Sequence, residues 1–230
     1  MLKPKRKILR KEIQRDPFLE SLFSFKTHFL DYKQLYTRIA IGFIALVIVG
    51  TFILRTKASN YNSAELMLSK GMIYVEQGDN QNAIIHLQEV VDEFANTIPG
   101  KNASYYLGQI HYDRGDYDLA LPYFEEYANE GENILLLGAS FQALVEIFDN
   151  KGNLEDAIQY QKLSRDNASS KGEAAYAALK LANLTYQNGD LIRAKAMIEE
   201  VLNNHGDDLD IKQVADQLDG LIQVGIPSLN

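Results

Sequence analysis

The sequence predicts an all-α chain: a solenoid of about four helical pairs with a C-terminal capping helix, preceded by a single transmembrane helix. Three observations carry this expectation. One motif occurs four times at 37-residue intervals after residue 62, an uncharged apolar stretch occupies residues 39–54, and charge divides sharply about that stretch. Residues 1–38 hold ten Lys or Arg against four Asp or Glu, whereas residues 55–230 hold thirteen against twenty-seven.

The apolar stretch, IAIGFIALVIVGTFIL, lies between Arg38 and Arg55. It would make a helix of about 24 Å, short of the roughly 30 Å of a bilayer core. Extension back through Leu35 and Tyr36, with Arg38 and Arg55 reaching for the two interfaces, makes up the difference. Thr51 is its only polar side chain, so no face is offered to water as the buried helix of a soluble domain would require. A cleavable signal peptide is disfavoured, because the stretch starts at residue 39 and lacks a small-x-small cleavage site. No cysteine follows for a lipid anchor. The basic flank belongs in the cytoplasm, which sends the acidic C-terminal region across the membrane and suits a bacterial inner membrane facing the periplasm. The absence of cysteine fits an oxidising compartment without requiring one.

Within residues 1–38, Lys3, Lys5, Arg6, Lys7, Arg10 and Lys11 form a basic cluster suited to anionic lipid headgroups. Asp16 and Pro17 read as a helix start. Phe18, Leu22, Phe25 and Phe29 then recur at three- and four-residue steps, continued by Tyr32 and Tyr36. Such a stripe suits either the headgroup plane or a membrane protein partner, because both bury the same surface.

The repeat begins at residue 62, after a linker expected at 55–61. Gly78-Asp79, Gly115-Asp116, Gly152-Asn153 and Gly189-Asp190 lie 37 residues apart, as do Ala83, Ala120, Ala157 and Ala194. Glycine can end one helix at positive φ and the following Asp or Asn can begin the next. Helices are expected at 62–77 and 81–95, 101–114 and 117–131, 137–150 and 154–165, and 171–188 and 191–204. Pro99-Gly100, Gly131 to Asn133 and Ser169-Ser170 read as boundaries between units. Gly71, Gly108 and Ala182 offer small positions where paired helices cross, while Gln161 interrupts the apolar pattern of the third unit. Ile211, Val214, Ala215, Leu218 and Ile222 mark a last amphipathic helix within the segment 205–230, expected to close the array.

The 37-residue pairs, with their small residue in the first helix, an aromatic near its end (Tyr74, Phe148), the Gly-Asp turn and the alanine after it, resemble tetratricopeptide repeats over residues 62–204. Together with the basic N-terminus and the single span, the chain resembles the YfgM-like group of periplasmic tetratricopeptide proteins, ancillary subunits of the Sec translocon. That resemblance implies a non-enzymatic adaptor or chaperone-like role beside the SecYEG channel, with periplasmic chaperones and translocating polypeptides as partners. A scaffold in another cell-envelope or secretion machine is the alternative.

No catalytic, cofactor or metal constellation is legible. His28, His86, His111 and His205 lack metal-ligand spacing, with His111 expected as a packed structural group and His86 as a surface one. Asp207, Asp208 and Asp210 lack the glycine and distal glutamate of a calcium loop and read as a helix start. The acidic repeat region disfavours nucleic acid. In a tetratricopeptide array the first helix of each pair lines the inner face, and the resemblance carries this onto Tyr105, Gln109, Tyr112, Gln142, Glu146, Tyr176, Asn183 and Tyr186. Tyrosines offer contact area with few rotors to freeze, and the amides and carboxylates can hold a peptide backbone or basic side chains.

Overall fold

The structure is a computed structural model that describes residues 17–225, so the basic cluster from Lys3 to Lys11 and the Asp16 helix start lie outside the described residues. The chain divides into two units, residues 1–57 and residues 58–230.

The first unit holds α1 (Pro17–Asp31) and the beginning of α2 (Lys33–Glu76). The step between the helices is small, since Tyr32 N–H still bonds His28 O at 3.1 Å and Tyr36 N–H bonds Tyr32 O at 3.0 Å. Across this step the Phe29 and Tyr36 rings stack with centroids 5.3 Å apart. Phe18, Leu22, Phe25 and Phe29 are all exposed, as are the bulky side chains from Ile39 to Leu54. Among the described residues, α2 is the one helix long and apolar enough to cross a membrane, and none of its most apolar window is buried. Residues 55–61, expected as a linker, are helical. No glycine or proline stands between Gly50 and Gly71 to stop the helix.

The second unit takes the last turns of α2 and then α3 (Asn80–Phe94), α4 (Ile98–Asp113), α5 (Tyr117–Glu130), α6 (Ile134–Asn150), α7 (Leu154–Asp166), α8 (Lys171–Gln187), α9 (Leu191–His205) and α10 (Leu209–Gly225). It is a solenoid of four helical pairs and a terminal helix.

The four turns inside the pairs share one geometry. Gly78, Gly115, Gly152 and Gly189 have φ of +72°, +78°, +72° and +89°. Each glycine N–H bonds the carbonyl three residues back, and each following Asp or Asn N–H bonds the carbonyl five residues back at 2.9–3.1 Å. This pairing satisfies carbonyls that a helix end otherwise leaves open. Asp79, Asn153 and Asp190 then cap α3, α7 and α9 by accepting from the backbone N–H three residues on.

Small side chains bring the paired helices together. Ala83, Ala120, Ala157 and Ala194 are fully buried. A Cβ on Gly71 would stand 2.8 Å from Leu87 Cδ2, and one on Gly108 would stand 3.2 Å from Tyr123 Cβ. Pro99 and Gly100, read as a boundary between units, lie at that boundary and form the first turn of α4. Thr97 Oγ1 accepts from Gly100 N–H at 3.0 Å, and the proline sits where no helical donor is needed.

Gln161 is buried, and its amide nitrogen donates across to Ala177 O on α8 at 3.0 Å. α10 packs on both α8 and α9 through Ile211, Ala215, Leu218 and Ile222. Its start is held by Asp208, whose Oδ1 accepts from the N–H groups of Asp210 and Ile211.

Candidate protein-binding face

The first helices α4 and α6 touch directly, and a polar line crosses from them to α8. Tyr112 Oη donates to Glu146 Oε2, and Glu146 Oε1 lies 3.5 Å from Lys180 Nζ. Each step is 34 residues, three fewer than the sequence period. Shortening the period by about one helical turn links the late end of one first helix to the middle of the next. Burial, then the bond to Glu146, raises the pKa of Tyr112 well above the ordinary 10.0, so the phenol stays a donor at neutral pH.

Of the residues expected on this face, Gln142 and Glu146 are exposed, while Gln109, Tyr112, Asn183 and Tyr186 are half-buried. Gln109 Nε2 donates to Asp113 Oδ1 at 2.8 Å. Tyr176 is 45% exposed. Tyr105 is only 8% exposed, with its ring among those of Tyr106, Phe124 and Tyr127 at 5.3–5.8 Å. Its role is packing, because the wide ring fills the interior where α4 meets α5.

Sequence reasoning missed Lys180, which lies on α8 between the expected Tyr176 and Asn183. It also missed α10. Tyr176, Leu179, Lys180 and Asn183 of α8 join Val214, Gln217 and Leu221 of α10 around an open hollow of about 310 Å³. The exposed Val214 and Leu221, seven residues apart, were the available signal: a helix that merely closed the array would carry polar groups there.

Among the described residues, no group of three His, Asp or Glu side chains could hold a metal ion. His111 stacks flat on Tyr123 with centroids 5.9 Å apart, and burial lowers its pKa, in keeping with a neutral structural imidazole. His86 is partly buried rather than a surface group, stacked on Tyr74 at 5.1 Å.

These features define a tetratricopeptide-like solenoid. The tetratricopeptide repeat family matches residues 68–133. The chain is similar to tetratricopeptide repeat protein 29 of Macaca fascicularis, 27% identical over 126 residues, which are 54% of this chain and 24% of that protein. The Homo sapiens protein of the same name is 26% identical over the same shares. The match thus spans about a quarter of the length of these relatives. Among solved structures, a tetratricopeptide repeat protein from Parabacteroides merdae ATCC 43184 superposes with a TM-score of 0.53 at 16% identity, covering 69% of this chain and 61% of that one. A MamA protein gives a TM-score of 0.50 at 16% identity over 70% and 84%. At these identities the likeness is one of fold alone.

Proposed function

We propose that this chain is a non-enzymatic, membrane-anchored adaptor or chaperone-like subunit associated with the SecYEG protein-export channel of a bacterial inner membrane, with its N-terminus in the cytoplasm and its repeats in the periplasm. The observation that carries the binding role is the face shared by α4, α6 and α8, where Tyr112, Glu146 and Lys180 are linked and Gln142 and Asn183 can hydrogen-bond a polypeptide. It offers contact area and hydrogen-bonding groups to an extended or helical protein segment.

The place in the membrane rests on the exposed apolar run Ile39–Leu54 and the charge step across it. The exposed Phe18, Leu22, Phe25 and Phe29 on α1 suit contact with another membrane protein or with anionic lipid at the interface. The choice of the Sec channel and its periplasmic chaperones rests on resemblance in architecture. Gentle detergent extraction of the tagged full chain, followed by identification of what stays bound, tests it. Recovery of channel subunits supports the assignment; recovery of a different envelope assembly without them replaces it with the scaffold reading.

A further inference from the structure

A hollow of about 320 Å³ opens between the early part of α8 and the late part of α9, at the end of α7. Ala174, Ala175, Ala178, Leu181, Met197 and Val201 form its apolar wall, and Arg165, Glu200, Asn204 and His205 stand around it. It shares none of the residues expected on the protein-binding face.

The internal repeat explains why it exists. One position on the first helix of each pair is Met67, Ser104, Phe141 and then Ala178, at 37-residue steps; the matching position on the second helix is Val90, Tyr127, Ser164 and Val201. In the second unit the first position is small and the second supplies a ring: Ser104 and Tyr127 are each 1% exposed. In the third unit the order reverses, with Phe141 at 3% and Ser164 at 8%. Each of these units buries one aromatic ring at this register. In the fourth unit the two positions hold Ala178 and Val201, neither carries a ring, and both line the hollow. An empty apolar space is costly to a fold, because the atoms lining it lose contacts on one side.

We infer that this hollow is a second docking site, which takes the aromatic side chain of a phenylalanine on a partner polypeptide. The rings that the chain itself buries at this register in units two and three specify the shape. The Asn204 amide and the Glu200 carboxylate can meet the peptide groups that flank such a side chain, whereas Arg165 is already held by Asp166 at 2.8 Å.

Methionine methyl NMR on the full chain in detergent micelles tests this, because the chain has only four methionines and two of them bear on the question. Met197 lines the hollow, and Met67 occupies the register of Ala178 in the first unit. Titration with N-acetyl-phenylalanine amide is expected to move the Met197 signal saturably and leave Met67 in place, while N-acetyl-alanine amide moves neither. Ala178→Phe, which supplies the missing ring in cis, is expected to abolish the shift without lowering the thermal midpoint. Ala178→Leu fills the space with a smaller group should the ring not fit. An unmoved Met197 signal in the wild-type protein overturns the inference, as does an undiminished shift in a folded variant with the hollow filled.

Discussion

The phenol of Tyr112 on α4 donates to the carboxylate of Glu146 on α6, and the same carboxylate lies 3.5 Å from Lys180 on α8. One side chain thus ties three successive first helices. Because the folded pKa of Tyr112 lies above its unfolded value, its contribution to stability is complete below about pH 10 and is lost as pH rises through the folded value. Tyr112→Phe is expected to flatten the alkaline loss of stability without removing it, since Tyr105, Tyr123, Tyr127 and Tyr160 are also raised by burial. Urea unfolding of the two proteins across the alkaline range checks this.

Gly115 and Gly138 separate backbone strain from crowding. A Cβ at either meets nothing within 4 Å, but Gly115 has φ of +78° and Gly138 lies inside α6. Gly115→Ala should therefore cost about 1–2 kcal/mol, whereas Gly138→Ala should stabilise by about 0.5–1 kcal/mol. Shifts of opposite sign in the denaturation midpoint are the expected result.

Gln161 offers a pH-dependent test of the α7–α8 contact. Its Nε2 bonds Ala177 O, while its Oε1 has no partner. Gln161→Leu removes both groups and should change stability by no more than about 1 kcal/mol. Gln161→Glu places an ionisable group in the same buried site. Its folded pKa should be raised, so stability stays near wild type below the ordinary carboxylate range and falls as pH rises through the folded value, by about 3 kcal/mol once the carboxylate is charged. Thermal melts on either side of that transition distinguish the two variants.

Joint replacement of Phe18, Leu22, Phe25 and Phe29 by serine should leave the chain membrane-inserted, because Ile39–Leu54 is untouched, and should loosen its complex with a membrane partner. Carbonate extraction reads the first and co-purification the second. An undiminished complex would assign the stripe to lipid.

The repeat was legible because its turns impose strict chemistry: glycine at positive φ followed by Asp or Asn produced all four pairings at their observed places. Pro99-Gly100 marked the boundary between units, but α4 starts at Ile98 rather than at residue 101, because the Thr97 cap lets both residues join its first turn. Gln161 was visible as a polar interruption, but its acceptor is a backbone carbonyl sixteen residues away on another helix. Lys180 was hidden for a related reason, since the Tyr112–Glu146–Lys180 line runs diagonally across the register. The hollow beside Ala178 shows only when Ser104, Phe141, Tyr127 and Ser164 are known to be buried in their own units.

The proposed function requires the face shared by α4, α6 and α8 to meet polypeptide partners at the membrane. Its most direct test is a photo-crosslinker placed singly at Gln142, at Asn183 and at Ile192 of the full chain in its native membrane. Ile192 lies on the second helix of its pair and is 87% exposed, so it controls for accessibility. Specific protein adducts from Gln142 and Asn183, with none from Ile192, are the predicted result; no adducts from the first two positions, or the same adducts from all three, would contradict it.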